Sequence, residues 1–210
     1  MDVGRIIKSD ACVAEGAAWL ATLDPRLNTA LEATGKLPLR LKPDGFETLL
    51  NAIISQQVSV ASASAIFVRM QVAGMTDPDR VNAATDDDLR ACGLSRQKIR
   101  YSKALAEAQI DYPSLRNIPN DQVVATLTQV SGVGRWTAEI YAMFSLGRAD
   151  IFAPADLALQ ESARLLFDLP DRPKEGALRK MSEDWSPWRG VAARLLFAYY
   201  HVAKDREGIR

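Results

Sequence analysis

The chain has 210 residues, 26 of them basic and 26 acidic, so its formal net charge at neutral pH is zero. Apolar residues make up 48%, enough to bury the core of one large domain or of two intimate lobes. Two cysteines, Cys12 and Cys92, cannot by themselves cage zinc or an iron–sulfur cluster, and the single histidine, His201, excludes a histidine-built metal centre and leaves serine–histidine chemistry without a motif.

Residues 1–10 are too polar for a signal peptide, and no apolar run reaches membrane-spanning length, so a cytoplasmic protein is expected. Helix signals then follow one another, and no convincing strand alternation interrupts them. Asp24-Pro25 gives an N-cap and a first-turn proline, with Gly35 as the stop. Leu37 to Pro43 reads as an extended connector. Asp44 and Glu47 have capping-box spacing for a helix running to about Gln56. Ser59 opens a helix rich in small residues that ends near Gly74. Thr85 and Asp88 repeat the box, with Gly93 behind them, and Ser95 caps a helix to about Gln109. Arg96, Lys98, Arg100 and Lys103 cluster there, with Asp86 to Asp88 expected on an opposite edge; these charges read more readily as a solvated helix face than as a local footprint for a polyanion. A linker from Asp111 to Asn120 carries two prolines, and a helix runs from near Asp121 to Val130. A second begins at about Trp136, a proline-bearing turn spans Asp168 to Pro173, and Ser186-Pro187 starts a last helix from Trp188 to about Lys204. The pattern is all-α, with about ten helices.

Leu127 to Gln160 carries most of the functional information. In Ser131-Gly-Val-Gly-Arg135, glycines sit between two helices, at the mouth of a helix N-terminus. Free N–H groups and the helix dipole there suit an anion, and a phosphate is the natural one. A glycine turn alone is usually only a turn. Here, past a hydrophobic helix, Ile-Phe-Ala-Pro-Ala-Asp follows, ending on Asp156. With Ile53-Ile-Ser-Gln-Gln-Val-Ser59 and Trp185-Ser-Pro-Trp-Arg-Gly-Val-Ala192, the combination resembles the helix-hairpin-helix DNA glycosylase superfamily, in its alkylation-repair, 3-methyladenine DNA glycosylase II branch. The resemblance covers roughly residues 45–200.

That resemblance implies two helical lobes flanking an active-site cleft. Residues 45–115 would form a central lobe, residues 120–160 the hairpin and catalytic region, and residues 1–44 with 161–210 a second lobe. The stretch before Gly45 looks too short and too helical for the N-terminal β-domain of the best-known bacterial relative. The family's invariant carboxylate falls on Asp156; an aspartate at this place is also an ordinary N-cap, and the two roles are compatible. Trp136 stands where strand-cleaving members carry a lysine, which implies a monofunctional enzyme. Its indole face could hold a cationic base. A stripe of Trp136, Ile140 and Phe144 facing the core is the structural alternative. Ile140 stands where the relative has a pocket tyrosine, and Phe197 where it has a second aromatic wall, although Phe197 could equally be core. Trp185 and Trp188 read as packing residues.

Gln57 is the candidate to enter the gap left by a flipped base, with Gln56 beside it. Gly132, Val133, Gly134, Arg135 and Thr137 are the candidate phosphate contacts. The resemblance also implies a Na+ or K+ held by the main-chain carbonyls of Thr128, Val130 and Val133, and no cofactor for the chemistry. The expected partner is double-stranded DNA containing damaged bases, bound by a monomer without a membrane. Two alternatives remain open: a non-catalytic, structure-specific DNA-binding protein, which has no need of Asp156, and a glycosylase for deaminated bases.

Overall fold

The computed structural model describes residues 3–207. Its α-helices, numbered in chain order, are Asp10–Leu23 (α1), Pro25–Thr34 (α2), Phe46–Ser55 (α3), Val60–Val72 (α4), Pro78–Ala83 (α5), Asp86–Ala91 (α6), Arg96–Glu107 (α7), Tyr112–Leu115 (α8), Asn120–Thr128 (α9), Arg135–Phe144 (α10), Leu157–Leu166 (α11), Glu175–Met181 (α12) and Arg189–Glu207 (α13). A 3-10 turn at Ser182–Trp185 precedes α13. Among the described residues the only β pairing is an isolated bridge between Ile6 and Arg148. The all-α reading holds.

Most of the helix starts follow from side chains that accept first-turn N–H groups. Asp24 caps α2 through Arg26 N (2.8 Å), Ser59 caps α4 through Ser62 N (3.2 Å), and Thr85 with Asp88 closes a full capping box on α6. The Asp44–Glu47 box does not form. Gly45, at φ 108°, is the N-cap of α3 and has no side chain to cap with. Asp44 instead accepts from the Tyr141 hydroxyl and pairs with Arg116 at 2.7 Å. Glu47 accepts from Gln71. Three short helices were not anticipated: α5, although Asp77-Pro78 repeats the signal of Asp24-Pro25, the single turn α8 inside the expected linker, and α12.

The chain divides into two compact units. One spans Lys42–Tyr141. Its centre is α3, whose Phe46, Leu49, Leu50, Ile53 and Ile54 recur at helical spacing and are all buried. Packed against α4 and α7, each fully buried Leu or Ile contributes roughly 1.5–3 kcal/mol. The second unit joins the segment up to Leu41 to the chain from Ala142 onward. In it α13 packs on α11, α2 and α1. Gly16 of α1 is needed for that approach, because a Cβ there would lie 2.7 Å from Trp188. Trp185 stacks on Phe167 and meets Phe152 edge-on. The division therefore falls after residues 41 and 141, not at 115–120 and 160 as the motif boundaries suggested. The second limit lies inside α10, a continuous helix with no break in sequence to mark it.

Candidate active site and nucleic-acid interface

The hairpin belongs to the Lys42–Tyr141 unit. After α9, Val130 N–H donates to Leu127 O (3.2 Å) and Val133 N–H to Val130 O (3.0 Å). Gly134 O accepts the first intrahelical bond of α10, from Ala138 N (3.0 Å). Residues 135–137 therefore form the first helical turn, and Ala138 N–H is the first to bond back along the helix. Arg135 points outward and is tethered at 3.0 Å to Glu139, a buried carboxylate one turn on.

The two glycines have different reasons. Gly132 sits at φ 96°, and a Cβ there would come within 2.4 Å of the Tyr101 ring. Gly134 has nothing within 4 Å of that position, so the protein itself does not demand its small size. Gly132→Ala is expected to cost about 2–4 kcal/mol, from the left-handed backbone and a displaced tyrosine. Gly134→Ala should unfold at the wild-type midpoint. Denaturant unfolding of both variants checks this, and equal losses would contradict it.

One of the expected phosphate contacts is corrected. Val133 is buried and its N–H is committed to Val130 O, so it shapes the turn and does not donate outward. The Thr137 side chain is buried as well, and the contact expected of this residue is through its backbone N–H.

The stripe on α10 is graded. Trp136 is 41% exposed, Ile140 is half-buried and Phe144 is in the core. A large aromatic left at the surface in the first turn of a helix is the informative member of the three. In the same unit, Gln57 is exposed and adopts φ 56°, a conformation that non-glycine residues avoid and that clusters at functional loops. Gln56 is half-buried and donates its side-chain amide to Gly132 O (3.0 Å). Here the structure brings two of the expected site segments together.

The charge cluster on α7 is also revised. Lys103 pairs with Asp86 at 2.9 Å, so these acids are not on an opposite edge. Lys98, about 200° around the helix from Arg96, faces inward at 9% exposure and donates to Ile54 O. Burial pushes its amine below the ordinary lysine range. Sequence reasoning had left Lys98 in solvent.

Asp156 belongs to the second unit, at the N-cap of α11. Its Oδ1 accepts from Ala158 N (2.9 Å) and Leu159 N (3.2 Å). The preceding loop is braced by Asp156 N–H donating to Ala153 O (3.0 Å) and by the buried Gln160 amide donating to Pro154 O (2.8 Å). Gln160 was missed in the sequence, where it reads as one more polar helix residue. Upstream, Arg189 grips Asp150 at 2.6 and 2.9 Å. Burial alone would raise the Asp150 carboxyl, but Arg189 and the Ser186 hydroxyl hold it below its usual range.

Phe197 on α13 is half-buried, 6.3 Å from Phe144, with the Arg40 guanidinium 5.3 Å from its ring centre. The other face of this cluster holds an unforeseen charge. Arg194 is fully buried, donating to Leu39 O (3.1 Å) and Gly190 O (2.7 Å). Burial, and then the neighbouring Arg40, lower its pKa to about 10. Among the described residues no group of three or more His, Cys, Asp or Glu side chains is arranged to hold a metal ion, and no helix is long and apolar enough to cross a membrane.

Residues 50–187 match the model of the HhH-GPD superfamily of base excision DNA repair proteins. The chain is 32% identical over 178 residues to DNA-3-methyladenine glycosylase 1 of Schizosaccharomyces pombe, covering 80% of this chain and 78% of that one. A solved structure of an S. pombe 3-methyladenine DNA glycosylase in complex with abasic DNA superposes with a TM-score of 0.77 at 31% identity, over 87% of this chain and 95% of that one. A DNA-3-methyladenine glycosidase of Bacillus halodurans gives 0.78 at 31% identity, over 90% and 89%.

Proposed function

Because the chain belongs to the HhH-GPD superfamily of base excision DNA repair proteins, we propose that it is a monofunctional DNA glycosylase that removes alkylated purines from double-stranded DNA. The observation that carries this reading is Asp156, a carboxylate fixed by two backbone N–H groups at the start of α11. Its place in the motif matches the family's invariant acid.

The target bond is inaccessible inside the base stack, so the nucleotide must be flipped out. Gln57 fills the gap, and the N–H groups at the start of α10, with Gly132 and Gly134 shaping the turn, grip a phosphate without reading sequence. Trp136 and Ile140 of the first unit, and Phe197 of the second, are the side chains the family motif offers to the base. An indole face attracts a cationic alkylated base by roughly 0.5–2 kcal/mol. Such a base already carries positive charge and leaves with the electron pair of the C1′–N bond without needing a strong general acid. Charge then develops on the sugar, as in other glycoside chemistry. Asp156 stabilises that charge, orients the attacking water and takes its proton as oxygen bonds to C1′.

The main-chain carbonyls of Thr128, Val130 and Val133 would hold a monovalent cation. They are hard, neutral oxygens, and Val130 O keeps a second lone pair after accepting from Val133 N–H. Such an ion would add positive charge beside the phosphate.

A covalent route needs an amine at the sugar, and Trp136 occupies the position from which strand-cleaving relatives supply it. The strand should therefore stay intact after base loss and break only on alkaline treatment, and borohydride added during turnover should trap no protein–DNA adduct. An adduct that disappears when one lysine is replaced would overturn the monofunctional reading. Lys98, buried and with a depressed amine, is the first to replace.

A further inference from the structure

We infer that Gln56 is a positioning residue whose side-chain amide locks the Gln57 loop to the hairpin turn, holding the inserted side chain at a fixed offset from the gripped phosphate. The inference rests on the proposed roles of Gln57 and of the hairpin.

Gln56 and Gln57 are adjacent glutamines with opposite fates. Gln56 ends α3 in extended conformation, is half-buried, and reaches 76 residues along the chain to Gly132 O. Gln57 turns into the left-handed region and is exposed. The reversal between them sends one amide inward and leaves the other free to project. The Gly132 carbonyl is half-buried, and Gln56 supplies its donor where the chain of the hairpin bends through φ 96°.

The same segments are braced from α7. Lys98 donates to Ile54 O, one of the last carbonyls of α3, which the helix itself leaves without a donor. Tyr101, one turn further along α7, lies against Gly132. The end of α3, α7 and the hairpin are thus tied in a closed triangle, with the Gln56 amide as its third side. A concavity of about 260 Å³ lies beside it, lined by Gln56, Gln57, Ser95, Gln97, Lys98 and Tyr101. Insertion and phosphate grip act on one bound duplex, and errors of about 1 Å in such placement can cost on the order of 100-fold in rate. Gln56 therefore spends its amide inside the protein, which takes it out of the set of direct DNA contacts suggested by sequence.

The test uses the full chain and a duplex with one 7-methylguanine next to 2-aminopurine, whose fluorescence rises on unstacking. Gln56→Met keeps the volume and removes the donor; Gln56→Glu sets an acceptor against the Gly132 carbonyl. At saturating enzyme, Gln56→Met should lower the single-turnover rate about 5- to 10-fold and reduce the fluorescence rise, as one lost hydrogen bond would. Gln56→Glu should lower both further. Affinity of both variants for undamaged duplex should stay within about 2-fold of wild type. A structural defect would reduce the active fraction, not the rate constant of the active molecules. Gln56→Met with the wild-type rate and fluorescence rise overturns the inference. So does a loss of plain-duplex affinity in proportion to the rate, which would make Gln56 a DNA contact. A wild-type protein that neither unstacks nor releases the lesion sinks the underlying reading, and the inference with it.

Discussion

Asp156→Asn should slow base release by about 10²–10³-fold or more, the loss typical when one electrostatic stabiliser is removed from a developing charge. The substitution is nearly isosteric. Its amide oxygen can still accept from Ala158 N and Leu159 N, and asparagine is as good an N-cap as aspartate. The protein should keep its fold and its affinity for DNA, while the negative charge proposed to face the sugar is gone. Asp156→Ala is a poorer probe, because it also removes the cap and costs about 1 kcal/mol of stability. Single-turnover excision and gel-shift binding separate the two effects. A rate within a few-fold of wild type would reduce Asp156 to a helix cap.

Gly134→Asp should weaken binding to every duplex alike, by at least about 10-fold at low salt. The added Cβ meets no protein atom within 4 Å, so folding has no reason to suffer. The new carboxylate would stand at the start of α10, where the DNA phosphate is proposed to sit. Two like charges about 4 Å apart near a protein surface repel by several kcal/mol, and salt screens this. Gly134→Ala, which adds bulk without charge, should lose less. Titration of lesion-bearing and plain duplexes at two salt concentrations tests it. A variant that loses one lesion and retains full affinity for plain DNA would place the phosphate elsewhere.

What could be read from the sequence were features set by residues close together in the chain. Asp24, Ser59, Thr85, Ser95 and Asp156 each cap a helix within three residues of themselves. The glycine turn between α9 and α10 was legible for the same reason, as one local motif. The misreadings came from distant partners. Asp44 has the spacing of a cap but is claimed by Tyr141, 97 residues away. Lys98 belongs to a charged run, yet it is drawn inward by a carbonyl 44 residues earlier. Arg194 is buried because the carbonyl of Leu39, 155 residues back, and the ring of Phe144 receive it. Burial of a charge depends on such partners, and spacing alone does not reveal them. The limit between the two units was hidden in the same way, inside an unbroken helix.

The most direct measurement of the central claim is base release by the wild-type chain. Duplex DNA treated with a methylating agent is incubated with the protein and with its Asp156→Asn variant, and the released bases are separated by chromatography. Free methylated purines are expected from the wild type, with an intact abasic strand that breaks only in alkali, and no more than background release from the variant. Tight binding of the same DNA without release of any base would contradict it, and would leave the hairpin as the working part of a DNA-binding protein that does no chemistry.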